Sequence, residues 1–169
     1  LKQTAPAESN YDVIIVGGGM VGISLAFALQ QGSEELALKV LIIEAAPINF
    51  SEKPYQPSFD ARSTVLSHGS VEYFKKLGIW DSLAGHATSI KKIHVSDQGK
   101  FGSVRMNSDE HGVEALGYVV ENIPLGKALN TKLLESQKIE ICDSAKVKKI
   151  FPNTELLSVE LLKDNCNKK

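Results

Sequence analysis

Residues 13–22 read VIIVGGGMVG, an unbroken run of β-branched residues that stops at three successive glycines. A strand without polar alternation suits burial on both faces, as in a parallel sheet. The stretch from Met20 to Gln31 then reads as a helix ended by Gly32, with Val21, Leu25 and Leu29 on one apolar stripe. Leu38–Ile43, LKVLII, reads as a second buried strand. Strand, helix and strand make one βαβ unit, whose crossover is expected to be right-handed. The chain is thereby constrained to an α/β fold with at least one parallel strand pair.

The glycines are spaced Gly17-x-Gly19-x-x-Gly22. In a dinucleotide-binding turn the first allows the tight reversal, the second lets backbone approach a pyrophosphate, and the third lets helix pack close to strand. The helix start adds N–H groups and a favourable dipole for a phosphate. Alone the pattern is weak, since a bare turn can serve packing only. Here Glu44 stands at the end of the second strand, 22 residues past Gly22, where a carboxylate can accept hydrogen bonds from a ribose diol. A carboxylate there disfavours a 2′-phosphate, and hence NADP. It does not separate NAD from FAD, which share the adenosine diol.

Composition excludes several alternatives. The 169 residues suit one ordinary domain, with 43% hydrophobic and 23% charged residues and a net charge of −1. Acidic and basic residues are mixed, so no electrostatic case for nucleic acid arises. Cys142 and Cys166 have no CxxC spacing and His68, His86, His94 and His111 no i,i+4 pairing, which leaves a metal site unsupported and favours a reduced, intracellular setting. No apolar run approaches the ~20 residues that span a bilayer. No secretory signal is legible, and residues 1–10, LKQTAPAESN, read as a flexible lead-in.

Beyond Glu44, residues 45–62 hold Pro47, Pro54 and Pro57 without a period and read as a long loop. Thr64–Lys76 reads as a helix with Val71, Phe74 and Leu77 on one face, closed by Lys75, Lys76 and Gly78. Ile90–Asp97 and Phe101–Met106 read as a hairpin around DQGK, and LGYVV at 116–120 as a strand. Asn122 reads as the N-cap of a helix with Pro124 in its first turn and Leu125, Leu129 and Leu133 along it. Lys138–Cys142, Val147–Phe151 and Leu156–Leu162 read as short strands, the last of them without assured partners. Trp80 reads as core, and His94 as a surface histidine.

FDARSTVLSHGSVEYFKKLGIWDSL at 59–83 resembles the D-x-R segment of the flavin-dependent aromatic hydroxylases, the group that includes p-hydroxybenzoate hydroxylase. IHVSDQGKFGSV (93–104) and ALGYVVEN (115–122) are similar to its ubiquinone-biosynthesis monooxygenases, in particular those of the 2-octaprenyl-6-methoxyphenol hydroxylase type. The resemblance runs from about Tyr11 to the C-terminus. It implies a Rossmann-like FAD-binding βαβ domain with additional antiparallel strands, and non-covalent FAD. Gly17, Gly19 and Gly22 would hold the pyrophosphate and Glu44 the adenosine ribose. Arg62, the Arg of D-x-R, would lie along the FAD near its pyrophosphate and ribityl part, where a guanidinium fork suits phosphate or hydroxyl oxygens. Asp60 would orient that Arg or cap the helix after it. Asn122 stands where many members carry Arg or Gln that contacts the flavin chain, and Val147 where backbone meets adenine. No catalytic residue is assigned.

The resemblance further implies NAD(P)H as reductant, O₂, and a prenylated phenol as substrate. It implies a cytoplasmic enzyme working peripherally at the inner membrane, in company with other ubiquinone-pathway enzymes. The family's later Asp-Gly and Gly-Asp motifs are not found, and its members are more than twice as long. The expectation is therefore a flexible segment at 1–10 and, over 11–169, the N-terminal FAD-binding portion of a monooxygenase, the C-terminal half absent and the piece itself inactive. Two other readings stay open. An NAD-dependent dehydrogenase or another flavin oxidoreductase would share the first βαβ unit, and a non-catalytic truncated binding module would share the fold.

Overall fold

A computed structural model describes residues 9–31, 38–48, 58–154 and 156–163. The chain forms two compact units, one of residues 1–60 with 129–169 and the other of residues 61–128.

The first unit is built on a three-stranded parallel sheet in the order β1 (Val13–Val16), β2 (Val40–Ile43), β8 (Ile139–Cys142). Val13 pairs with Val40 and Val16 with Ile43, while Val40 pairs with Ile139 and Ile43 with Cys142. β2 lies in the middle, and all four of its residues are buried, which is why it shows no polar alternation. The helix α1 (Met20–Gln31) joins β1 to β2 through residues 32–37. Its buried residues are Ile23, Ala26 and Phe27, whereas Val21 and Leu25 are exposed. The expected stripe of Val21, Leu25 and Leu29 is thus corrected. The helix is apolar nearly all round, so periodicity could not choose its inner face; the close approach at Gly22 does.

β9 (Ala145–Pro152) and β10 (Leu157–Lys163) form an antiparallel pair, so the last strands do have partners. Tyr11, Ile14, Val147, Val159 and Leu161 pack on a buried cluster of Leu41, Ile43, Cys142 and Ala145. Tyr11 is further tied by its hydroxyl, which donates to Glu140 Oε2 at 2.8 Å, with Lys39 Nζ 4.6 Å from its ring centre.

The second unit holds an antiparallel sheet in the order β3 (Ser63–Ser67), β7 (Gly117–Glu121), β4 (Ala87–Ile90). Residues 64–67, expected as the start of a helix, are a strand: Thr64 pairs with Val120 and Leu66 with Tyr118. β-branched Thr64 and Val65 fit that pairing. The helix α2 (His68–Lys76) starts only after Ser67, whose hydroxyl accepts from Ser70 N as N-cap. Asp60 is therefore not its cap. Val71, Phe74 and Leu77 are buried as their spacing implied, and Gly78 takes φ of +67° at the exit. The short α3 (Trp80–Leu83) and β4 had no clear sequence signal. Trp80 is core, with its ring edge-on to Tyr118 at 4.8 Å. β5 (Lys92–Ser96) and β6 (Ser103–Asn107) form the expected hairpin, and His94 is exposed on it. The division between the units falls within α4 (Asn122–Glu135), whose Leu125, Leu129 and Leu133 are fully buried.

Candidate functional site

The chemistry of the first unit gathers where β1 runs into α1. Gly17 N donates to Ile43 O at 2.8 Å, which continues the β1–β2 ladder by one residue. Gly17 then takes φ of +110°, a region closed to side-chain-bearing residues. The chain reverses there, and α1 starts at Met20. Ile23 N donates to Gly19 O at 3.0 Å, so Gly19 opens the first turn. The N–H groups of a first helical turn have no acceptor within their helix. They and the helix dipole favour an anion at this end.

Gly22 has a different task. A Cβ on it would overlap Gly17 O and lie 3.3 Å from Ile15 Cγ2. Only a glycine lets α1 lie this close to the end of β1. A Cβ on Gly19 would instead lie 2.8 Å from Ser58 Oγ and reach into an open cleft of about 490 Å³. That cleft is lined by the turn, by Val16, Met20, Val21 and Leu25, and by Ser58. The turn is bare on the cleft side and tight on the sheet side.

Glu44 follows β2 directly, and its backbone is fixed on both sides. Glu44 N donates to Cys142 O at 2.9 Å, and Ala145 N donates to Glu44 O at 3.0 Å. Its half-buried carboxylate accepts from Gly18 N at 2.6 Å through Oε2 and from Ala46 N at 2.8 Å through Oε1. Each oxygen keeps a lone pair in reserve, so a ribose diol can still be bound. Turn and acid are thus one hydrogen-bonded assembly.

These features fit an adenine dinucleotide: a side-chain-free cradle at a helix start, an adjoining cleft, and a carboxylate beside the turn. Of the residues expected from the sequence, the first unit brings together Gly17, Gly19, Gly22 and Glu44. Val147 lies on β9 opposite Leu161, with its side chain packed on the Leu41–Ile43–Cys142–Ala145 cluster. Arg62 and Asn122 belong to the second unit, where Asn122 N donates to Arg62 O at 2.9 Å. Asn122, buried at the first residue of α4, accepts at Oδ1 from Thr64 Oγ1 at 2.6 Å. Ser58 and Thr64 went unnoticed in the sequence. Ser58 lies in a loop without period, and Thr64 within a stretch expected to be helical.

Among the described residues, no cluster of His, Cys, Asp and Glu could hold a metal ion. No described helix is long and apolar enough to cross a membrane. Cys142 is buried as a free thiol, and Cys166 lies outside the described residues.

Comparison with known proteins identifies the dinucleotide. The chain is 33% identical over 144 residues to the ubiquinone biosynthesis monooxygenase COQ6, mitochondrial, of Caenorhabditis elegans, a match covering 83% of the chain and 31% of that protein. It is 32% identical over 130 residues to the ubiquinone hydroxylase UbiL of Rhodospirillum rubrum, covering 77% of the chain and 28% of that protein. The chain thus spans under a third of the length of these relatives. In fold it is similar to the flavin-dependent monooxygenase PieE, crystallised in complex with FAD and substrate, with a TM-score of 0.65 at 18% identity over 93% of the chain and 27% of PieE. The sequence profile of the FAD binding domain matches residues 10–158. By that match, which takes in the glycine turn, Glu44, Arg62, Asn122 and Val147, the chain belongs to the FAD binding domain family, and its cofactor is FAD.

Proposed function

We propose that the chain is the FAD-binding part of a monooxygenase that hydroxylates a prenylated phenol in ubiquinone biosynthesis. The observation that carries this reading is the similarity to COQ6 and UbiL over 77–83% of the chain. An NAD-dependent dehydrogenase would account for the first βαβ unit alone.

Bound FAD supplies the redox and oxygen chemistry, with NAD(P)H as reductant and O₂ as oxidant. The chain's own residues bind and orient. Gly17 and Gly19 leave room for the pyrophosphate at the start of α1, Gly22 lets that helix lie close enough to β1 to present it, and the first-turn N–H groups donate to it. Glu44, already held by Gly18 N and Ala46 N, accepts from the adenosine ribose. Arg62 supplies positive charge along the cofactor, Asn122 hydrogen-bonds the flavin chain, and Val147 offers backbone to the adenine. An acceptor-only carboxylate at the ribose also selects against a 2′-phosphate.

A prenylated phenol resides in a bilayer, so the parent enzyme works peripherally at a membrane, beside other enzymes of the pathway. Titration with FAD followed by flavin fluorescence, with NAD as control, tests the reading. Saturable FAD binding that Gly19→Val abolishes is the expected outcome. Equal affinity for NAD, or indifference to Gly19→Val, would overturn it.

A further inference from the structure

We infer that Ser58 is a further cofactor-binding residue, whose hydroxyl donates a hydrogen bond to the pyrophosphate lying against Gly19. The inference rests on the reading of the glycine turn as the FAD site and adds to it a residue that no glycine or acidic motif contains.

Three observations converge on this side chain. Ser58 Oγ stands 2.8 Å from where a Cβ of Gly19 would be, and Ser58 Cβ 3.2 Å from it. The hydroxyl therefore faces Gly19, a glycine of the turn that lines the cleft. Among the described residues, Ser58 is also the only one lining that cleft from outside residues 15–25. Finally, its neighbour Phe59 is among the largest fully buried side chains, at 2% exposure. A buried aromatic one residue away fixes the backbone at this point of the loop, so Ser58 is presented to the turn by packing.

Its chemistry matches the position. Among the described residues, no hydrogen bond engages the Ser58 hydroxyl, whereas neighbouring polar groups of the unit are committed: the Glu44 carboxylate to Gly18 N and Ala46 N, and the Asp143 carboxylate to Ile48 N at 2.9 Å. A hydroxyl rotates freely about its C–O bond and can turn its proton to an anionic oxygen. A pyrophosphate held at the start of α1 by N–H donors presents such oxygens on the side away from the helix. Hydrogen bonds to charged acceptors are stronger than neutral ones and shorten accordingly. Serine supplies the donor beside Gly19 without adding charge or bulk.

The alternative is an exposed serine that meets only water. The two differ in what removal of one oxygen does. FAD titration of this chain should show Ser58→Ala weakening binding about 10-fold or more, the lower end of the range for one hydrogen bond to a charged group. Ser58→Thr, which keeps the hydroxyl, should retain affinity within about 3-fold, and Ser58→Asp should lose more than Ser58→Ala by repulsion. The ³¹P resonances of bound FAD give an independent readout and should shift between wild type and Ser58→Ala. Unfolding midpoints should not move, because the side chain is exposed. Wild-type FAD binding that Gly19→Val abolishes but Ser58→Ala leaves unchanged, in affinity and in ³¹P shift, would overturn the inference while the FAD site stands. Loss of binding in neither variant would overturn both.

Discussion

Glu44 Oε2 accepts a hydrogen bond from the backbone N–H of Gly18 at 2.6 Å, joining the acid at the end of β2 to the middle of the glycine turn after β1. The two parts of the dinucleotide motif lie far apart in sequence, yet in the fold the acid holds the turn's shape. A carboxylate accepting two backbone N–H groups is a charge-assisted arrangement, and such bonds contribute more than neutral ones. Glu44 therefore has a structural task that precedes any ligand.

From this dual task, Glu44→Gln should act on stability and affinity together. The amide can accept with only one side, so its NH₂ must face either Gly18 N or Ala46 N as a second donor. Leaving one buried donor unmatched costs about 1–3 kcal/mol. The expected outcome is a lower denaturant midpoint and FAD binding weakened about 10-fold or more. Unchanged stability with lost binding would mean that the carboxylate serves the ribose alone.

Gly22→Ala should be the most damaging single methyl in the first unit. Its Cβ would overlap Gly17 O, a backbone atom that no rotamer change can move aside. Either α1 lifts from β1 or the turn opens, and overpacking of this kind costs about 1–3 kcal/mol. Urea unfolding should show that loss with the far-ultraviolet circular dichroism retained. FAD affinity should fall as well, since the displaced atoms form the cradle.

The contrast between these glycines and α1 shows what a sequence can carry. Gly17, Gly19 and Gly22 were readable because glycine is required only where a side chain is impossible, so type and spacing encode the geometry directly. The inner face of α1 was not readable, because a helix apolar on every side has no period to exploit, and Val21 and Leu25 ended outward. Residues 64–67 misled for a related reason. Thr64, Val65 and Leu66 acquire their strand from β7, some fifty residues on, and tertiary pairing overrides local pattern. Ser58 left no trace, since a serine in a loop carries no spacing at all.

Thr64 and Asn122 offer a cleaner test of buried polar coupling. Thr64 Oγ1 donates to Asn122 Oδ1 at 2.6 Å, and Asn122 is 4% exposed. Thr64→Val removes the donor while keeping the β-branched shape that β3 needs, and leaves a buried carbonyl oxygen to find another partner. The expected loss is about 1–2 kcal/mol. Asn122→Ala should cost at least as much, and the double variant less than the sum of the two, which a double-mutant cycle measures. Strict additivity would show that the two side chains do not depend on each other.

Alkaline titration should expose the tyrosines. The Tyr11 phenol is pushed above its ordinary value of 10.0, first by burial and then by donating to the Glu140 carboxylate, a bond that ionisation would turn into repulsion. Tyr73 is raised by burial, and Tyr118 by burial and then by the charge of Glu114. In the unfolded chain these phenols release their protons near pH 10, whereas the folded chain still holds them there, so folded protein binds more protons. Their stabilisation is therefore complete below pH 10 and is lost as pH rises through the folded values. Urea midpoints measured from pH 8 to pH 11.5 should be level at first and then decline. Lys75, raised by its hydrogen bond to Glu72, works in the same direction, but that pair stands in solvent and is screened. Tyr11→Phe removes the whole Tyr11 contribution, burial and Glu140 bond together: the variant should be less stable at pH 8 and show a shallower alkaline decline. An equally steep decline in Tyr11→Phe would assign the pH dependence to groups other than Tyr11.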